Sequence, residues 1–499
     1  MCSMPITDSA TLVNALARAL NAQLIETHIS WVLLAGELAY KIKKPIQLPF
    51  VDYGTLEARQ HFCAEEVRLN RRLAPALYLG VTRITGTQQT PVLDGTGPVL
   101  EYAVRMRRFP PGALFSEQLA AGTLHADHVD RLAELLADFH EHAARADAAS
   151  GFASAAQRQS SALQALEGVQ AVASPAEQAL LLAWMNEEGV RLVPLWNARL
   201  ANGWVRECHG DLHLANAIVL DDAVAAFDGI EFDPALRWID VFDDVAFVVM
   251  DLFAQGRRDL AFRFLNAWLD RTGDHEGLPV LRFSVVYRAL VRAMVARLSK
   301  APDAVARRYL DTALAWTRPG AARLFITHGL PGSGKTFASQ RLLEQEGAIR
   351  LRSDVERKRL FGLGLLEDSH ARGLNLYDAQ ASARTYAHLF NMARFVLRAG
   401  YPVILDAAFL RRHERAPALA LASELGVPLT IVNCEAPLEV LQARLRARKG
   451  DASEADVAVL EKLRDVVEAL VGEELGLAQS PAQLMRGADA LIGSTGTSL

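Results

Sequence analysis

The sequence predicts two domains in series, a bilobal α+β domain followed by an α/β domain built on a parallel sheet. Three observations predict this order. A Thr317-Arg318-Pro319-Gly320 turn separates the helix-like stretch AVARRYLDTALAW from the strand-like run ARLFITHG. Before that turn, strand-like runs cluster early and helical periodicity follows. After it, strands and helices alternate, which implies parallel strands with helices on both faces. The expected boundaries are 1–316 for the first domain, with a strand-rich lobe over about 22–110 and a helical lobe over about 113–316. A linker at 317–321, a second domain at 322–487 and a fraying tail at 488–499 complete the chain.

The 499 residues are enough for two or three cores, and a composition of 51% hydrophobic, 22% charged and 7% aromatic residues is that of a globular protein. It excludes a disordered chain, a collagen repeat and a disulfide-framed miniature domain. A formal net charge of -5 argues against long nucleic acid held by bulk charge, although a local basic groove is allowed. Cys2, Cys63, Cys208 and Cys434 are far apart with no CxxC spacing, which suits a reducing cytoplasm. No run reaches the ~18 apolar residues of a membrane span, and the N-terminus lacks a signal-peptide pattern. Only 8 of the 53 basic residues are lysine, so a lysine inside a motif carries weight.

In the first domain, a helix is expected around 9–21. ISWVLLA and LAYKIKK, joined by Gly36-Glu37, read as a hairpin, and 55–73 as a helix carrying Glu65 and Glu66. LYLGVTRI and VLEYAVRMRRF form a second strand pair, ended by a Pro-Pro-Gly turn; Met106–Gly112 would be the hinge between the lobes. Helical patterns run from about 113 to 200. The loop-rich segment ECHGDLHLANAIVLDDAVAAFDGIEF follows, and helices continue to about 316, including DVAFVVMDLF, which reads as a buried core helix. The second domain has strand-like runs RLFITHG, AIRLR, YPVILDAAF and PLTIVNCEA.

Gly329-Leu330-Pro331-Gly332-Ser333-Gly334-Lys335-Thr336 is a full G-x-x-x-x-G-K-[ST] match between a strand and a helix. Glycines let backbone N–H groups converge on phosphate oxygens, and the helix N-terminus adds partial positive charge. Lys335 would reach the β- and γ-phosphates, and the Thr336 hydroxyl would ligate Mg²⁺. Asp406, ending VILD, would orient that ion; the alternative is a strand-end cap. Asp354, in LRSDVERKR, would accept the proton of an attacking hydroxyl, unless it or Ser353 merely caps the next helix. Arg444 and Arg448, four apart in LQARLRARKG, would close over the γ-phosphate or else form a solvated face.

His209-Gly210-Asp211-Leu212-His213-Leu214-Ala215-Asn216 reads H-x-D-x-x-x-x-N, with Asp228 twelve residues further on. Asp211 suits the group that takes a hydroxyl proton, and Asn216 and Asp228 suit a Mg²⁺ site brought together by a hairpin. Upstream, Lys41 in LAYK would pair with α- and β-phosphates and Glu66 would hold it; Lys43 and Glu65 are the rival candidates, Lys43 on the same strand face. Asp233, Asp240, Asp243 and Asp244 would either attract a cationic acceptor or serve as caps and a solvated face. No His/Cys cluster has zinc-ligand spacing.

The HGDLHLAN and LAYK motifs resemble the aminoglycoside phosphotransferase and choline-kinase-like family over about 25–300. GLPGSGKT, RSD, VILDAAF and the R-x-x-x-R helix are similar to the zeta-toxin and polynucleotide-kinase-like P-loop kinases over about 322–470. The order of the two resembles the bifunctional aminoglycoside phosphotransferase/ATP-binding proteins. The resemblance implies a protein-kinase-like domain, then a P-loop NTPase domain, each using ATP and Mg²⁺ to phosphorylate a hydroxyl of a small molecule. The alternatives are one catalytic half with a nucleotide sensor, or a P-loop half acting on a nucleic-acid 5′ end or nucleotide sugar. The sequence departs from the family in having no G-x-G-x-x-G loop before Lys41; the equivalent turn is Glu26-Thr27-His28-Ile29-Ser30.

Overall fold

The computed structural model describes residues 6–48, 51–318, 320–448 and 450–485. Pro319 of the expected linker and the expected tail at 488–499 lie outside the described residues. The chain forms two units, Met1–Ala254 with Phe283–Ala315, and Gln255–Arg282 with Trp316–Leu499. The units part at Ala315/Trp316, beside the expected linker at 317–321, and 255–282 group with the second unit. The helix Arg258–Thr272 explains this. Its Asn266 donates to the Ala348 carbonyl at 2.9 Å and accepts the Arg350 N–H at 2.7 Å, and Arg263 pairs with Glu344 at 2.8 Å. Periodicity identifies such a helix but not the sheet it serves.

The first unit opens with a six-stranded antiparallel sheet, in spatial order Gln23–Glu26, Ser30–Ala35, Leu38–Lys43, Glu101–Arg107, Tyr78–Gly86, Pro91–Leu93. Alternation decides which side chain goes where. Tyr40 and Ile42 pack under the helix Ile6–Ala19 with Leu12, Leu16 and Trp31. Lys41 and Lys43 face the other way, toward the helix Leu56–Asn70. The outer strands Gln23–Glu26 and Pro91–Leu93 are not evident in the sequence because they are short and show no apolar alternation.

The rest of this unit is helical. Val241–Ala254 is buried along nearly its whole length, as expected for an all-round apolar helix at a core. The helices Ala126–His142, Ala155–Glu167, Pro175–Ala201, Leu278–Leu298 and Asp303–Thr317 are the other long ones here, the last two also supplying residues to the second unit. The strand Val205–Glu207 pairs antiparallel with Trp238–Asp240 and brackets the HGDLHLAN loop. The second unit has a five-stranded parallel sheet, ordered Ile349–Arg352, Val403–Asp406, Leu324–His328, Leu429–Asn433, Ala478–Gln479. Four of these are the expected strands. Among the described residues, no helix is long and apolar enough to cross a membrane.

Candidate active sites

In the first unit, the central strand delivers Lys41 to two carboxylates. Its Nζ lies 2.9 Å from Glu66 Oε1 and 2.5 Å from Asp228 Oδ1, although Asp228 is 187 residues away. Lys43, two residues on, takes the other Glu66 oxygen at 2.7 Å and also meets Glu231 and the Tyr53 hydroxyl. The two rival lysines thus share one glutamate: Lys41 at the edge of the site, Lys43 fully buried. Burial alone would raise the Glu66 carboxyl, but the two ammonium groups hold it at about 2. Glu65 turns away to Arg68 and Arg237, at 2.7 and 2.9 Å. Glu231 and Tyr53 were missed; no spacing rule links them to Lys43.

The HGDLHLAN loop is fixed from below. Asp244, on the buried helix, accepts the His209 and Gly210 backbone N–H groups, each at 2.8 Å. Gly210 has φ +87°, and a Cβ there would stand 2.6 Å from the Leu236 carbonyl. Leu214 N–H donates to Asp251 at 2.9 Å. Asn216 donates to the Asp211 backbone carbonyl at 2.9 Å, which leaves its amide oxygen to meet a cation. Burial would raise the Asp211 carboxyl, but His213 and Arg292 hold it well below the usual carboxylate range. The expected hairpin exists as Ala217–Leu220 and Ala223–Ala226, and Phe227 N–H closes onto the Asn216 carbonyl at 2.9 Å. Asp228 then takes φ +62°, a conformation that costs a non-glycine residue about 1–3 kcal/mol. The Tyr78 hydroxyl accepts its N–H at 3.1 Å, and Asn70 accepts the next one, from Gly229, at 2.7 Å. His140, Cys208 and Asp244 also gather here, but Asp244 is already engaged by the loop backbone.

In the second unit, the glycine loop joins the strand Leu324–His328 to the helix Lys335–Glu346. At Gly329, with φ +144°, a Cβ would stand 2.3 Å from the Cys434 carbonyl. Lys335 curls over the loop and donates to the Gly329 and Leu330 carbonyls at 2.9 and 3.0 Å; burial lowers its pKa. Ser339, one turn after Thr336, bridges to Asp406 at 2.8 Å and to the Thr336 carbonyl at 3.1 Å, so the Thr336 turn and Asp406 are tied together. Ser339 was not singled out in the sequence.

Asp354 lies in the first turn of the helix Ser353–Leu360, but neither it nor Ser353 is the cap, which is Arg352. Instead Asp354 meets Arg357, and Tyr377 donates to it at 3.5 Å. Burial opposes its ionisation, and Arg357, Ser453, Arg352 and Lys335 outweigh burial, leaving its pKa lowered. Arg444 donates to the Gly332 carbonyl at 3.1 Å. Arg448 stands at the end of its helix. The helix ends at Ala447, Arg448 is extended at ψ 132°, and it lies 3.8 Å from Asp451. Arg448, with φ -65°, is the last position whose direction the helix sets, and the chain turns away after it.

Both sites suit a Mg²⁺-bound triphosphate by the chemistry of their donors. Asn216 and Asp228, and likewise Thr336 and Asp406, are hard oxygen donors of the kind Mg²⁺ takes together with water. The Ser333 hydroxyl is buried in the glycine loop with no partner among the described residues, a donor left for a phosphate oxygen.

The uncharacterized protein Rv2004c of Mycobacterium tuberculosis H37Rv is 32% identical over 445 residues, covering 87% of this chain and 88% of that protein. The chain belongs to the same family. Mb2027c of Mycobacterium bovis, another member, matches to the same extent. Within this family, residues 324–470 of the present chain match the AAA domain. That span holds the glycine loop, Asp354, Asp406 and Arg444. Among solved structures, the choline kinase from Cryptosporidium parvum aligns over 62% of this chain and 95% of its own, at 10% identity and a TM-score of 0.41.

Proposed function

We propose that the chain is an ATP- and Mg²⁺-dependent phosphotransferase with two nucleotide sites, each transferring the γ-phosphoryl group to a hydroxyl of a small molecule. The observation that carries this is the convergence of Lys41, Glu66 and Asp228 beside the Asp211–Asn216 pair. Phosphoryl transfer asks for positioned charge more than covalent help, and this set supplies it. Lys41, held extended by Glu66, would bind the α- and β-phosphates. Asn216 and Asp228 would hold the magnesium ion, which when bound neutralises the charge developing on the phosphates. Asp211 orients the acceptor hydroxyl. As that oxygen bonds to the γ-phosphorus and the bond to the β-bridging oxygen breaks, the hydroxyl proton passes to Asp211 and ADP departs.

In the second unit, Lys335, the loop N–H groups, Thr336 and Asp406 would bind the triphosphate and its metal. Asp354 would serve as proton acceptor, and Arg444 and Arg448 would approach the γ-phosphate. A second reading makes the first unit a nucleotide sensor. It is favoured by the Thr27 turn, closed by the Thr27 hydroxyl to Ser30 at 3.0 Å where a glycine-rich phosphate clamp is the rule in the family it resembles. The described cysteines Cys63, Cys208 and Cys434 are buried free thiols, in keeping with a cytoplasmic protein.

The test is acceptor-dependent ADP release by the full chain, Asp211→Asn and Lys335→Ala. Two independent partial losses, each about 100-fold or more in the affected activity, are expected. Unchanged turnover in Asp211→Asn would make the first unit a sensor.

A further inference from the structure

The carboxylates of the acidic stretch around the HGDLHLAN loop each have a partner within the fold. Asp233 caps Ala235 N–H at 2.8 Å, and Asp240 pairs with Arg199 at 2.7 Å. Asp243 pairs with Arg158 at 3.0 Å and accepts the Ser284 hydroxyl at 2.6 Å. Asp244 holds the loop backbone, and Asp251 accepts Leu214 N–H and the Tyr309 hydroxyl, each at 2.9 Å.

Arg288 is the opposite case. It is only 4% exposed, stacked on Phe247 at 4.4 Å and Tyr287 at 5.0 Å. Among the described residues no carboxylate pairs with it, and its Nε is buried without an acceptor. A buried cation without a counter-ion is costly, so its presence points to a ligand that supplies the charge. Arg288 lines a cleft with Gln157, Arg158, Ser161, Asp243 and Tyr287, with room of about 40 Å³ for water-sized groups. That is space for a few waters, or for a carboxylate or phosphoryl group, and too little for a whole oligosaccharide. Leu236 also lines the cleft, and its carbonyl abuts Gly210, next to Asp211. On the other side, Phe247 touches the His213 ring at 6.5 Å, and His213 lies 3.6 Å from Asp211. Arg292, one helical turn beyond Arg288, is raised in pKa despite burial, with Asp211 the foremost of the charges raising it. Positive charge thus runs from the cleft to Asp211.

We infer that the acceptor of the first unit is an anionic hydroxyl compound, whose carboxylate or phosphoryl group is gripped by Arg288 in the cleft beside Gly210 and Asp211. This rests on the phosphotransferase reading above, and the test separates the two. Calorimetry on the full chain carrying Lys335→Ala, with Mg²⁺ and a non-hydrolysable ATP analogue, would compare glucose, glucuronate, glucose 6-phosphate, glucosamine and kanamycin. Glucuronate or glucose 6-phosphate should bind more tightly than glucose, and which of them does so identifies the group. Arg288→Gln should weaken that binding by about tenfold or more, and Arg288→Lys by less. Binding of the ATP analogue should not change.

Arg288→Met separates a ligand-binding residue from a structural one. It should leave the melting temperature unchanged or raised, because it removes an unpaired buried charge. Preference for glucosamine or kanamycin, no binding by either anion, equal anion affinity in Arg288→Gln, or a marked fall in melting temperature would each overturn the inference. If anions bind through Arg288 but Asp211→Asn leaves turnover intact, the phosphotransferase reading of this unit fails and the anion site stands.

Discussion

Glu66 is the residue on which the first site turns, since its two oxygens are divided between Lys41 and Lys43. Breaking a buried ion pair from one side is costly, so Lys43→Met, which strands Glu231 and leaves Glu66 with Lys41 alone, should destabilise the first unit by about 3–5 kcal/mol in denaturant titration. Lys41 is at the edge of the site, so Lys41→Met should cost less stability and instead remove nucleotide binding. The sequence placed both lysines on one face by strand periodicity. It could not rank them, because depth depends on Tyr53 and Glu231 from distant segments. Acid stability gives a separate check. The Glu66 carboxyl is held at about 2, below its ordinary 4.5, by the two ammonium groups despite burial. A depressed carboxylate contributes stability that is complete above the unfolded value and is lost as pH falls toward the folded one. Between pH 4.5 and 2, Glu66→Gln should therefore show a flatter fall in stability than the parent chain. Parallel curves would show that Glu66 carries no such charge.

At the scale of elements, both sites are loops that only a particular backbone allows. Gly329→Ala would set a Cβ 2.3 Å from the Cys434 carbonyl at φ +144°. It should weaken nucleotide binding in the second unit by at least about tenfold while leaving turnover that depends on Asp211 unchanged. Binding unaffected by that change would show that the loop does not cradle the ligand. The loop sequences were legible because glycine, histidine and aspartate stand at fixed offsets, and the hairpin between Asn216 and Asp228 was legible from two short apolar runs. What supports them was not legible: Asp244 reaches the HGDLHLAN loop from a later helix, and Ser339, in the helix the glycine loop opens, meets an Asp406 that lies 67 residues away. The end of the arginine helix was not legible either. Nothing in RLRARK marks Ala447 as its last residue.

For the whole molecule, the strand and helix alternation was enough to expect two folds in series, because period two and period 3.6 leave different traces. The exchange of Gln255–Arg282 to the second unit was not readable, since Asn266 identifies its sheet only through Ala348 and Arg350. One polypeptide with two separate triphosphate sites should bind two nucleotides at once. Calorimetric titration of the full chain with a non-hydrolysable ATP analogue and Mg²⁺ tests it most directly. Two equivalents should bind per chain, one remaining in Lys335→Ala and the other in Lys41→Met. A single equivalent in the parent chain, or loss of both through either substitution, would contradict it.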